Sequence, residues 1–281
     1  MEFKGKLIRK GKVKDIYEFS DDELLFVFTD RVSAFDVILP STIPRKGEVL
    51  CKFAEYWFKN LGVKNHMVKV IGRNMMVVKK LKMIPIECIV RGYLYGSLYE
   101  RVKEGLVHLT IEPILAAKLP QPIFDPTTKY EEKDLPITKE EILKRGWLNE
   151  NEYNEVVEKS MMIYSKIAER ADKAGFIIAD LKLEFGKKDG EILLADSIGP
   201  DEFRLWPKDR YEVGKAQESY DKQPIRDWLI KIGYKTKLDE AVKNKLPIPP
   251  PPKLPEDLIQ LTIERYITAY ERLTGLPFNT Q

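Results

Sequence analysis

Short apolar strand-like runs crowd the first third of the chain, and long helix-like segments fill its last third. Runs of strands followed by runs of helices predict an α+β fold. Two further observations support this reading. A tight hairpin signal, Lys188-Asp189-Gly190, returns after the longest helical stretch, so the β-rich first third is followed by a mixed remainder. The 281 residues, 43% of them hydrophobic, suffice for one large or two modest domains with a real core.

In chain order, Phe3 to Ile8 and Val13 to Phe19 flank Gly11 and read as a hairpin. Leu24 to Thr29 is a continuous apolar run, the mark of a buried strand. Val49, Phe53, Tyr56 and Trp57 recur at helical spacing from Glu48 to Leu61, and Gly62 stops the helix. Val68 to Ile71, Met75 to Leu81 and Ile84 to Val90 read as strands, and Leu98 to Lys103 as a short helix. Prolines 120, 122, 126 and 136 forbid a continuous helix between Pro113 and Pro136, so that segment reads as irregular surface chain. Thr138 with Glu141, and Asn149 with Glu152, have capping-box spacing; the second pair opens a helix from Glu150 to Lys173, closed by Gly175. Phe176 to Phe185 and Glu191 to Ser197 pair as a hairpin. Leu246 to Pro255, with six prolines, is a stiff connector to a last amphipathic helix, Glu256 to Thr274, stopped by Gly275.

Composition excludes several classes. With 47 basic and 44 acidic residues the net charge is +3, far from the basic excess of a nucleic-acid binder. No apolar run approaches the roughly 20 residues of a membrane span, and the N-terminus has no signal-peptide core. A cytoplasmic protein is expected; homo-oligomer formation is left open. Two cysteines, Cys51 and Cys88, in different segments support neither a disulfide scaffold nor a zinc cluster.

Four clusters carry chemistry. Gly11-Lys12-Val13-Lys14 sets lysines on a glycine turn. It lacks the Walker pattern and alone reads as an ordinary basic turn. From Ile84 an apolar strand ends in Arg91, and Gly96-Ser97 opens a helix, so Arg91 and Ser97 can grip a phosphate together; a strand-end salt bridge is the plainer account of Arg91. In Ala179-Asp180-Leu181-Lys182-Leu183-Glu184-Phe185-Gly186 the charged residues alternate onto one strand face, with Asp196 across the hairpin. That set suits either a solvated face or a Mg²⁺–polyphosphate site. Ser197 to Trp206 follows directly as a loop, with Asp201 and Arg204 available for polar substrate groups.

Taken together, these motifs and Thr29-Asp30-Arg31-Val32-Ser33-Ala34-Phe35-Asp36 stand in an order that resembles the SAICAR synthetase family over nearly the whole chain. The resemblance implies a two-lobed α+β fold: a smaller β-rich nucleotide-binding lobe over 1–83 and a larger mixed lobe over 84–281 carrying metal and ribotide sites, with the nucleotide cleft between. It implies an ATP-dependent ligase of purine biosynthesis, joining carboxyaminoimidazole ribotide and L-aspartate to give SAICAR, ADP and phosphate with Mg²⁺. An acyl phosphate would activate the otherwise unreactive carboxylate, leaving the protein to position and stabilise charge.

By resemblance, Lys12 and Lys14 contact the ATP phosphates, and Met83 lies at an adenine-facing hinge. Glu184 and Asp196 hold Mg²⁺ and nucleotide, with Lys182 as their cationic neighbour. Arg91, Ser97 and Arg204 form the ribotide phosphate site, Ser33 and Asp36 touch substrate, and Asp201 and Asp134 act near the reacting groups. Position 133 holds lysine where relatives often carry histidine. The segment Pro120 to Asp134 is expected to close over the substrates, and His66 and His108 are expected to be structural. The competing reading is a small-molecule kinase on the same cleft, but no H-R-D or D-F-G motif is present.

Overall fold

The computed structural model describes residues 5–129 and 134–279. Its elements run β1 (Leu7–Lys10), β2 (Lys14–Glu18), β3 (Glu23–Phe28), β4 (Arg31–Ala34), β5 (Val37–Thr42), α1 (Lys46–Asn60), β6 (Met67–Val70), β7 (Met75–Lys79), β8 (Lys82–Met83), β9 (Ile86–Tyr93), α2 (Gly96–Lys103), β10 (Lys118–Phe124), β11 (Thr127–Thr128), α3 (Lys139–Lys144), α4 (Glu150–Lys173), β12 (Phe176–Lys188), β13 (Glu191–Ala195), β14 (Phe203–Pro207), α5 (Gln223–Lys231), α6 (Tyr234–Lys243) and α7 (Glu256–Thr274). The fold is α+β, and the named strands pair antiparallel.

Two compact units divide the chain. The first comprises Met1–Tyr56, Met67–Lys80 and Tyr220–Gln281, the second Trp57–His66 and Leu81–Ser219. This differs from a single cut near residue 83, because the C-terminal helices belong to the first unit. There, Tyr266 and Leu273 of α7 are fully buried, and Tyr270 meets Phe53 of α1 edge-on at 5.3 Å.

In the first unit the sheet order is β1-β2-β3-β7-β6, with β4 and β5 as a separate pair. The apolar run of β3 is central, and Leu25 and Phe28 are wholly buried. Asp30 closes the start of α1: its carboxylate accepts from the backbone N–H of Gly47 (3.0 Å) and Arg45 (3.2 Å). Such side-chain acceptance satisfies donors that a helix start leaves open.

In the second unit a seven-stranded sheet is built on β10-β9-β12-β13, with β11 on β9 and with β14 and β8 on β12. Its long middle strand, β12, is buried on both faces through most of its length, including at Asp180 and Glu184. The expected helix α4 has its boundaries as read, and Asn149 and Glu152 form the full capping box.

Two expectations change. The segment from Pro113 to Pro136 is not wholly irregular, since Lys118–Phe124 is a strand on β9. Pro120 and Pro122 fit there because β10 lies at the sheet edge and its register is irregular between Lys118 and Ile123. With β10 and β11 tied into the sheet, Pro120 to Thr128 is not a free lid, and the lysine at 133 lies outside the described residues. Likewise the stretch after Ser197 is a loop only as far as Glu202; Phe203–Pro207 pairs with β12.

Candidate active site

Register explains how the second unit gathers its charges. Asp180 of β12 stands opposite both Arg91 of β9 and Arg204 of β14. Arg204 is ion-paired with Asp180, and Arg91 Nη1 lies 3.7 Å from the same carboxylate. Arg91, only 3% exposed, also donates from Nε to Asp125 (2.5 Å) and from Nη2 to the exposed Ser97 hydroxyl (3.0 Å). Asp125 is placed by its own N–H, which donates to the Ile89 carbonyl at 2.8 Å. Arg101, one turn along α2 from Ser97, donates to Asp125 at 2.5 Å. Arg204 lies 5.5 Å from the Tyr95 ring centre; Gly96 has a φ of 58°, which favours glycine, and a Cβ there would come within 2.7 Å of Arg204 Nη2 and push the guanidinium aside. Burial works against the charge on Asp125, but its bonds to Arg101 and Arg91 hold the carboxyl below its usual range.

Further along the same face lies a second cluster. Lys182 bridges Glu87 (2.9 Å) and Glu184 (3.2 Å), and Lys129 pairs with Glu184 from the other side. Burial is the largest influence on Lys182 and pulls it down. Glu184, Glu87, Asp196 and Glu202 together outweigh it and hold the ammonium well above its ordinary value. Lys129 behaves alike: burial lowers it, and Glu184 and Asp196 raise it further. Asp196 follows Ala195, which pairs with Glu184, and its φ of 60° turns the chain out of β13. Lys182 N–H donates to the Glu202 carbonyl (2.8 Å). Burial, then Glu184, pushes the Cys88 thiol up, so it stays neutral and unreactive.

Among the described residues, no three His, Cys, Asp or Glu side chains group to hold a metal by themselves. The hard oxygen donors of Glu184 and Asp196 fit a Mg²⁺ that takes most of its shell from phosphate and water.

The structure thus brings together Lys182, Glu184 and Asp196, and separately Arg91, Ser97 and Arg204. Met83 pairs with Gly186 on β8, and Asp201 is half-buried before β14. Asp134 is exposed. In the first unit Lys12 is ion-paired with Asp36, both exposed, while Ser33 and Lys14 are buried. The Lys14 ammonium lies 5.2 and 5.4 Å from the Phe26 and Phe28 ring centres.

Sequence reasoning missed Glu87, Arg101, Asp125, Lys129 and Glu202. Two-residue alternation from Arg91 back through Ile89 marks Glu87, and Glu202 stands beside Asp201 within the Ser197–Trp206 motif; Arg101, Asp125 and Lys129 arrive from other segments with no local signal. His66, expected to be structural, is buried, and its Nε2 lies 3.2 Å from the Asp196 backbone carbonyl oxygen.

The SAICAR synthetase family model matches residues 7–243. The chain belongs to the SAICAR synthetase family. A phosphoribosylaminoimidazole-succinocarboxamide synthase of Nitrosopumilus maritimus is 53% identical over 98% of this chain and 99% of its own length. One of Thermodesulfovibrio yellowstonii is 41% identical over 96% of each. Among solved structures, the Saccharomyces cerevisiae SAICAR synthase complexed with SAICAR superposes with a TM-score of 0.82 at 38% identity, covering 98% of this chain and 97% of that one. A SAICAR synthetase in complex with ADP gives 0.74 at 28% identity, covering 97% and 99%. This SAICAR synthetase family member is an enzyme, an ATP-dependent ligase that forms SAICAR, and the kinase reading is set aside. No helix among the described residues is long and apolar enough to cross a membrane.

Proposed function

We propose that the two clusters of the second unit divide the work of SAICAR formation: the arginine cluster holds the ribotide phosphate, and the Lys182 cluster handles the reacting carboxylate and the nucleotide phosphates. The observation that carries this reading is the cross-strand register of β12, which sets Asp180 between Arg91 and Arg204 and sets Glu184 opposite Ala195 of β13, the residue before Asp196. Bidentate guanidiniums suit a phosphate monoester, and Ser97 adds a hydroxyl. Glu184 and Asp196 would hold Mg²⁺, which when bound neutralises phosphate charge.

The chain's own groups do the rest. The ribotide carboxylate oxygen attacks the γ-phosphorus, the bond to ADP breaks, and the resulting acyl phosphate accepts the L-aspartate amine, releasing phosphate. Lys182 and Lys129, held protonated by their carboxylates, offer fixed positive charge to the transferring group without reorganisation. Asp201 and Asp134 stay in the proposal as acids near the reacting groups, on resemblance. A cytoplasmic location follows from the role in purine biosynthesis.

Steady-state ADP release with each substrate omitted in turn tests this. Release should require ribotide and L-aspartate together. Sustained turnover with the ribotide alone would mean a kinase-like transfer, and turnover independent of both would remove the ligase assignment.

A further inference from the structure

The arginine cluster contains a cation and an anion that the phosphate reading does not use. Asp125 accepts from Arg91 Nε and from Arg101 Nη2, both at 2.5 Å, so one carboxylate aims two guanidiniums. Arg101 also donates from Nε to the Ser97 carbonyl at 3.4 Å, which lays its side chain beside the residue whose hydroxyl meets Arg91. These contacts occupy Nε and one amino group of Arg101; a guanidinium carries five N–H donors, so others remain. The side chains of Asp125 and Arg101 are 14% and 17% exposed, enough for Arg101 to reach a ligand while its rotamer stays fixed. Three guanidiniums against the two carboxylates Asp125 and Asp180 leave the pocket net positive, which favours an anion at Ser97.

We propose that Arg101 is a third cation of the phosphate site and that Asp125 is the positioning residue that aims Arg101 and Arg91 at the phosphate. The proposal rests on the assignment of Arg91, Ser97 and Arg204 to that phosphate. Asp125 touches no ligand. It acts through the two arginines, and its negative charge is tolerated because an unaimed guanidinium loses the geometry of paired N–H···O bonds.

Titration calorimetry of the full chain with SAICAR, with SAICAR dephosphorylated to its riboside, and with ADP tests the proposal. Arg101→Met should weaken SAICAR binding about 10- to 100-fold, the worth of a charge-assisted hydrogen bond, and leave riboside and ADP affinities unchanged. Arg101→Lys should lose less. Asp125→Asn should weaken SAICAR about 10-fold, and together with Arg101→Met it should lose less than the product of the single losses, because one residue acts through the other. Equal weakening of SAICAR and riboside, or no weakening, would overturn the proposal. Arg91→Met separates it from the reading beneath: if Arg91→Met lowers the preference for SAICAR over the riboside while the Arg101 and Asp125 variants do not, this proposal fails alone. If none of the three lowers it, the phosphate assignment fails as well. Unchanged ADP affinity certifies that each variant is folded.

Discussion

Asp196 and Glu184 carry the same chemistry in the proposed site but sit in different surroundings, and that difference decides how each can be tested. Glu184 is buried between Lys129 and Lys182, so Glu184→Gln removes the shared counter-charge of two ammonium groups. Breaking such a buried pair costs about 3–5 kcal/mol, which mixes a loss of stability with any loss of function. Asp196 is half-buried in a left-handed backbone conformation that asparagine tolerates as well as aspartate. Asp196→Asn should therefore keep the melting temperature within a few degrees while turnover falls on the order of 10³-fold. Paired melting curves and ADP-release rates check this. Near-wild-type turnover at limiting Mg²⁺ would remove Asp196 from the site.

Strand β9 shows how tightly an element can be specified by what packs on it. A Cβ on Gly92 would come within 1.9 Å of the Tyr164 hydroxyl, which donates to the Ile178 carbonyl at 2.8 Å. Gly92→Ala should destabilise the chain by about 1–3 kcal/mol through overpacking. Tyr164→Phe removes the clashing oxygen, so the double variant should be more stable than the sum of the two single losses. Urea midpoints across this cycle give the coupling; strict additivity would mean that the strand yields elsewhere. Its neighbour β10 explains the proline-broken segment: β10 lies at the sheet edge, which tolerates Pro120 and Pro122 where a central strand would not.

The chain crosses between its two units and returns, so its ends depend on each other. Removal of Tyr220–Gln281 takes away Tyr266, Tyr270 and Leu273, and with them the partner of Phe53. We expect a chain ending at Ser219 to lose native packing in the first unit, with the amides of α1 exchanging far faster than in the intact protein. Hydrogen exchange read by mass spectrometry decides it, and retained protection of α1 would show that the helices of 220–281 are dispensable.

Local chemistry wrote much of this into the chain. Asn149 with Glu152 and Gly175 bounded α4, Gly275 ended α7, and the Asp189-Gly190 turn set the β12–β13 hairpin, because caps and turns satisfy backbone groups within a few residues. Period-two alternation likewise put Asp180, Lys182 and Glu184 on one face, and ordered motifs were enough to indicate the family. Tertiary structure alone decided the partners. Asp125 meets Arg91 across 34 positions, and Lys182 meets Glu87 across 95. It also decided that the charged face of β12 is buried and that 220–281 packs with the N-terminal strands. Pairing across such separations depends on sheet register and burial, which are collective outcomes of packing. No local spacing rule encodes them, so Lys129, Arg101 and Asp125 became visible only once the strands were in place.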